Sequence, residues 1–262
     1  MTVDRFPDSL ETADAALYAL KRGGRVEDGV VVGDNADIGP GAILQPNVKV
    51  YPYKTVEPGA IVTKSIIWEG RGARALFDEH GVSGIANVDL TPELTLRVAM
   101  AFASTLKKGS TVALGRDASR VSRALKRALI AGLNSAGVTC EDLELAPAPS
   151  VRFSTSRLGS SGGMYVRTSP QDSQSAELAV FGDDGSDLDD GARRRIERTY
   201  YREEFRRAFG QEMGELRYPP RAIEHYVVAL AHSLDVAAVR HRRFKVVVDA
   251  GGGTATLVLP YL

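Results

Sequence analysis

"TVALGRDASRVSRALKRALIAGLNSAGVTC", residues 111–140, is the stretch on which the fold of most of this chain turns. Its first seven residues form an apolar run closed by Arg116-Asp117, the composition of a buried strand. Beyond Ser119, Val121, Ala124, Leu125, Ala128, Leu129, Gly132 and Leu133 recur at helical spacing, with Arg and Lys on the opposite face. "VTCEDLEL" (138–145) then reads as a second strand. A strand, a helix and another strand in this order predict an α/β architecture with a mainly parallel sheet, covered on both faces.

Upstream of this stretch, "TPELTLRVAMAFASTLKKG" (91–109) predicts a helix. Thr91 is placed to cap it, Pro92 takes the first helical position, and Lys107-Lys108-Gly109 closes it. Leu94, Val98, Ala101 and Phe102 are its expected buried stripe. Downstream, a helix is expected near 149–158, a strand at "GGMYVRT" (162–168) and another in "ELAVFGDDG" (177–185). One long charged helix is expected over "LDDGARRRIERTYYREEFRRAF" (188–209). A second unit is expected after Pro219-Pro220: a helix at "AIEHYVVALAHSL", a strand at "FKVVVDA" (244–250), and a glycine-rich turn entering a helix at "GGGTATLVLPYL". One strand and one helix cannot bury a sheet, so the chain is expected to be a fragment or a truncated product.

Upstream lies a repeat with a period of six: "LKRGGR VEDGVV VGDNAD IGPGAI LQPNVK VYPYKT VEPGAI VTKSII". Its hexads begin with Leu20, Val26, Val32, Ile38, Leu44, Val50, Val56 and Val62. The fifth place is mostly small or apolar, as at Gly24, Ala36, Ala42, Val48, Ala60 and Ile66. Such spacing predicts one short strand per hexad, three strands per coil, and an interior column of the leading aliphatic residues. The stretch resembles the left-handed hexapeptide-repeat β-helix common in acyltransferases and in the C-terminal part of sugar-nucleotide pyrophosphorylases. None of His80, His225, His232 and His241 lies in the repeat, which leaves an acyltransferase without its base. The coils are therefore expected to be structural, packing on neighbouring domains or on sister subunits of a homo-oligomer. The polar, helix-prone segment 8–19 would cap them.

Bulk composition narrows the function classes. Lys+Arg and Asp+Glu are both 33, so no overall field favours nucleic acid or an acidic partner. The basic run "RHRRFK" (240–245) lies between a helix and a strand and reads as a solvated junction. The single cysteine, Cys140, gives no disulfide framework and no cysteine-based zinc site. The N-terminus lacks a basic region followed by an apolar core, and no run reaches the length of a membrane span. A cytoplasmic protein with no membrane and no nucleic-acid partner is expected.

Three further stretches carry a resemblance to the α-D-phosphohexomutase (phosphoglucomutase/phosphomannomutase) superfamily. "RTSPQDSQSAELAVFGDDG" is similar to the family's reactive loop, "TASHNP" followed by "xxYNGxKxFGxDG", and puts Ser169 at the phosphoserine position. "VALGRDASR" resembles "VVVGRDTR", and "VVVDAGGGTATLVLP" resembles "VVVDCGNGAGSLVAP". The junction of hexads and α/β region resembles actinobacterial-type fusions of mannose-1-phosphate guanylyltransferase with phosphomannomutase. The resemblance implies four segments: 1–19 polar, 20–70 left-handed hexapeptide β-helix, 71–215 a phosphohexomutase-type α/β/α domain, and 216–262 the start of a second.

By that resemblance Ser169 is the catalytic serine, Arg116, Arg120 and Arg167 bind phosphate, and Mg2+ is the cofactor, touching Ser169 only through its phosphate. The implied ligands are a hexose phosphate or a sugar nucleotide. The pattern departs from the family in places. Pro170 and Gln171 replace the His-Asn after the serine, which removes one backbone N–H and one side-chain acid/base group. "GVSGIAN" puts Ala86 where a phosphate-binding arginine would stand, and neither the metal loop nor the nucleotidyltransferase signature is present. The strand-to-helix corner at Arg116-Asp117, Ser119 and Arg120 survives as an anion site. The competing reading there is Asp117 capping the helix with both arginines in surface ion pairs. For the chain, two readings stay open. It is a phosphoserine mutase domain, inactive by itself and needing its missing parts. Alternatively, it is a non-catalytic module that assembles or regulates a sugar-1-phosphate nucleotidyltransferase.

Overall fold

The computed structural model describes residues 23–33, 36–51, 54–63, 65–66, 71–72 and 76–262. The expected cap over 8–19 lies outside the described residues. The chain divides into two units, one reaching to Asp78 and including Gly84–Asp89, the other holding Glu79–Ser83 and Leu90–Leu262.

The first unit consists of strands of two residues: β1 (Arg25–Val26), β2 (Val31–Val32), β3 (Asp37–Ile38), β4 (Ile43–Leu44), β5 (Lys49–Val50), β6 (Thr55–Val56), β7 (Ile61–Val62) and β8 (Arg71–Gly72). They pair in parallel ladders in which Val26 faces Leu44, Leu44 faces Val62, Val32 faces Val50 and Ile38 faces Val56. Each partner is three hexads away, so the leading residues stack on one another. Ile38, Leu44, Val50, Val56 and Val62 are buried together with the fifth-place Ala36, Ala42, Val48, Ala60 and Ile66. Between strands the chain must turn sharply, and Gly23, Gly29, Gly41, Asn47 and Gly59 do so with φ between 62° and 83°. Only glycine, and less readily asparagine, adopts that conformation cheaply.

The last hexad, "VTKSII", has no such residue, and the ladder changes register there. Ile66 bridges Val50, an offset two residues shorter than before, and Val56 pairs with Gly72. The Lys49 N–H donates to Ser65 Oγ at 2.9 Å.

The second unit is a six-stranded sheet of order β14-β11-β10-β12-β13-β9. Its strands are β9 (Val82–Ile85), β10 (Thr111–Arg116), β11 (Thr139–Leu145), β12 (Gly163–Thr168), β13 (Ser175–Phe181) and β14 (Leu216–Arg217). Helices α1 (Pro92–Thr105) and α2 (Arg120–Ser135) pack together, and α3 (Ala148–Arg157) connects β11 to β12. Helix α4 (Asp190–Arg202) follows β13, and α5 (Ala222–His232) and α6 (Val236–Arg242) follow β14. Thr91 caps α1 as the sequence predicts, its Oγ1 accepting the Leu94 N–H at 3.2 Å. Gly132 lets α2 approach α1, for a Cβ there would meet Leu96 O at 2.5 Å. Among the described residues no single helix is long and apolar enough to cross a membrane.

The sheet is mainly parallel, as the sequence predicts, along β14-β11-β10-β12. Strands β12 and β13 form an antiparallel hairpin in which Arg167 faces Glu177, and the link from Ser169 to Gln174 is far too short for a parallel crossover. Four expectations need correction. The buried stripe of α2 is rotated: Ala124 is exposed, while Ser122 and Lys126 point inward. The helix expected over 188–209 stops at Arg202, because Glu203 turns left-handed at φ 57°. Residues 244–250 form no strand. No described strand pairs with them, their ladder bonds would stay unmade, and Val247 is 92 % exposed. The expected C-terminal helix is reduced to two short 3-10 turns, 254–257 and 259–261, in a stretch broken by Gly251–Gly253 and Pro260.

Candidate functional site

Parallel neighbours β10 and β12 end side by side, and there the chain brings its chemically interesting residues together. Arg116 is in register with Val166, and the Asp117 N–H donates to Val166 O at 3.1 Å. Past that point β10 turns into α2. Ser119, not Asp117, is the N-cap: its Oγ accepts the Ser122 N–H at 3.1 Å. Asp117 is a stitch between two segments. One carboxylate oxygen accepts the Ser119 N–H at 2.9 Å, and the other accepts the Thr168 N–H at 2.8 Å. The strand end carrying Ser169 is thereby fixed beside the start of α2.

Burial alone would raise the Asp117 pKa. The hydrogen bonds from the Thr168 N–H and from Ser122 and Ser119 outweigh it and hold the carboxyl below its ordinary value. A carboxyl lowered by folding stabilises above its unfolded pKa and loses that contribution as pH falls through the folded one. Asp117→Asn is therefore expected to cost stability at pH 7, and the deficit relative to wild type should shrink as pH drops below about 4. Urea midpoints at several pH values measure it. A deficit unchanged down to pH 2 would mean the Asp117 charge contributes nothing.

The three arginines are placed differently. Arg116 lies against its own turn, Nη1 donating to Asp117 O at 2.7 Å, with its buried Nε lacking a partner. Arg120 is exposed in the first turn of α2. Arg167 donates from Nε to Glu177 Oε2 at 2.7 Å.

Ser169 opens the β12–β13 loop. Its N–H donates to Ser175 O at 2.9 Å, and Asp172 closes the loop by accepting the Gln174 N–H at 3.0 Å and the Ser175 hydroxyl at 2.6 Å. The Ser175 hydroxyl, with the Gln174 N–H, holds the Asp172 carboxyl below its usual range. Ser169 Oγ lies 2.7 Å from Glu177 Oε1 and 2.8 Å from Gln171 Oε1. Sequence reasoning missed Glu177. The available signal was a lone carboxylate inside the apolar strand "SAELAVF", a residue that stays buried only when paired.

The carboxylates near Ser169 do not make a Mg2+ site. Glu177 is taken by Ser169 and Arg167, Asp117 by backbone N–H groups, and among the described residues no group of three or more His, Cys, Asp or Glu could hold a metal. The glycine-rich stretch 249–256 closes local turns: the Gly251 N–H donates to Asp249 and the Gly253 N–H to Ala250 O.

Residues 74–207 match the family described as phosphoglucomutase/phosphomannomutase, alpha/beta/alpha domain I. Over 191 residues the chain is 36% identical to a phosphoglucomutase/phosphomannomutase of Thermococcus kodakarensis, covering 71% of this chain and 42% of that protein. A phosphoglucosamine mutase of Rhodococcus jostii is 36% identical over 195 residues, with the same shares of 71% and 42%. The chain thus spans about two fifths of the length of these relatives. Among solved structures, a phosphoglucomutase/phosphomannomutase family protein from Burkholderia thailandensis superposes with TM-score 0.53 at 17% identity, covering 62% of this chain and 36% of that one. Parafusin from Paramecium gives TM-score 0.54 at 12% identity, with shares of 71% and 39%. At these identities the two structures speak for the fold alone.

Proposed function

The chain belongs to the phosphoglucomutase/phosphomannomutase family through its α/β/α domain I, and from that premise we propose that Ser169 is a phosphoryl-accepting serine for a hexose phosphate. The observation that carries this reading is the placement of Ser169. It stands on a closed hairpin loop, tied through Thr168 and Asp117 to the start of α2, whose first N–H groups and dipole favour an anion. Arg116 and Arg120 would meet the phosphate there. The family is generally Mg2+-dependent; the residues around Ser169 do not fit a resident ion, and no step is derived through one.

Finer parts of the reading rest on the repeat and the motifs. The ladders of the first unit, with partners three hexads apart, support a left-handed hexapeptide β-helix that would join sister subunits. The junction motifs support a parent protein in which a mannose-1-phosphate guanylyltransferase precedes the mutase region and makes GDP-mannose in the cytoplasm. Segment bounds of 20–70, 71–215 and 216–262 belong to the same proposal. A second reading, a non-catalytic module of a sugar-1-phosphate nucleotidyltransferase, is favoured by Pro170 and Gln171 in the serine loop.

Loop variants separate the two readings. With a hexose 1,6-bisphosphate and Mg2+ in the buffer, Ser169→Ala is expected to abolish phosphoryl uptake, whereas Ser173→Ala in the same loop leaves it intact. Uptake that survives in Ser169→Ala would remove Ser169 from the chemistry.

A further inference from the structure

A serine hydroxyl has one proton, and Ser169 has two acceptors within reach, Glu177 Oε1 at 2.7 Å and Gln171 Oε1 at 2.8 Å. The ionised acceptor makes the stronger bond, so the proton lies toward Glu177. The Gln171 N–H approaches Oγ at 3.4 Å and leaves the hydroxyl's role as donor unchanged. Glu177 is 2 % exposed and cannot trade Ser169 for water. Its second oxygen accepts from Arg167 Nε at 2.7 Å, across the register pair that joins β12 to β13. Pro170 and Gln171 carry no group that takes up a proton at neutral pH. A carboxylate from the next strand meets the serine oxygen instead.

We infer that Glu177 is the catalytic proton acceptor for Ser169 and that Arg167 is its positioning residue, an assignment that rests on the phosphoryl-accepting role proposed above. In the step, Ser169 Oγ attacks phosphorus of a hexose bisphosphate. The Oγ–P bond forms and the bond from phosphorus to the sugar oxygen breaks. The Oγ proton passes to Glu177 Oε1, and the departing sugar oxygen takes a proton from water. Phosphoserine then stands beside a neutral carboxyl, so no like charge opposes the product. In the return step Glu177 gives the proton back to Oγ.

The test is the rate of phosphoryl uptake from glucose 1,6-bisphosphate in single-turnover mass measurements on the whole chain. Glu177→Gln keeps the shape and removes the base, and uptake is expected to slow by about 100-fold or more. Glu177→Asp keeps a carboxylate and is expected to recover part of the rate, which a merely structural role would not require. Glu177→Gln leaves Arg167 without its counter-charge and could unfold the strand end. The double variant Arg167→Gln/Glu177→Gln removes both charges and serves as the second arm, with the same loss expected. Uptake at the wild-type rate in either folded variant overturns the assignment while leaving Ser169 as acceptor. A folded wild type that takes up no phosphoryl group overturns the assignment and the reading beneath it together.

Discussion

Asp142→Ala is expected to lower the unfolding free energy by about 3–5 kcal/mol, the usual cost of stranding one charge of a buried pair. Lys126 Nζ lies 2.7 and 2.6 Å from the two Asp142 oxygens, and the side chains are only 9 % and 3 % exposed. Water cannot take over for the missing carboxylate at that burial. The substitution also strips an acceptor from the Glu144 N–H, which donates to Asp142 Oδ1 at 2.7 Å from a residue at φ 58°. The pair joins α2 to β11, so its loss loosens the layer that sets the start of α2. The double variant Lys126→Met/Asp142→Leu removes both charges and is expected to be near neutral, within about 1–2 kcal/mol of wild type. Urea denaturation followed by circular dichroism distinguishes the cases. A cost below about 1 kcal/mol for Asp142→Ala would put the pair in the class of solvent-screened surface bridges.

Arg206→Ala is expected to cost about 3 kcal/mol, taking roughly 1 kcal/mol for each of three charged hydrogen bonds after discounting for partial exposure. The guanidinium donates to Ala103 O at 2.7 Å, Leu106 O at 2.7 Å and Ala136 O at 2.8 Å. Those carbonyls belong to the C-terminal ends of α1 and α2, where the dipole is negative and neither helix has a basic residue in its own last turn. One cation from a distant loop therefore completes both helices. Arg206→Lys is expected to recover under half of the loss, because an ammonium on a flexible stem cannot reproduce the planar fork. Thermal unfolding measures the series. Full recovery by lysine would mean that charge alone, without directed hydrogen bonds, accounts for the effect.

Local signals were legible. Thr91-Pro92 marks a helix start because the cap and its target N–H lie three residues apart. The hexad positions Ile38, Leu44, Val50, Val56 and Val62 are readable because stacking recurs at a fixed interval. Ser169 is singled out as a candidate by its motif, since the loop spacing to Gly185 is retained.

The residues that escaped have distant partners. Lys126 looks like a solvent-facing residue of α2 until Asp142 is placed under it, 16 positions on. Arg206 sits in a run that reads as one long charged helix, and its acceptors lie 70 to 103 positions away. Glu177 escapes because the sequence places two strands in succession without showing how they pair. Only the antiparallel hairpin brings it opposite Arg167 and onto Ser169. The apolar "FKVVV" run misleads for the converse reason: its strand propensity is high, but among the described residues no strand pairs with it, and Val246 is 72 % exposed.

Whether Ser169 accepts a phosphoryl group is read from intact-protein mass after incubation with glucose 1,6-bisphosphate and Mg2+. A single phosphoryl increment, mapped to the peptide carrying Ser169, is the predicted result. A folded wild-type chain whose mass is unchanged would remove Ser169 as a phosphoryl acceptor and favour a module that works by binding or assembly.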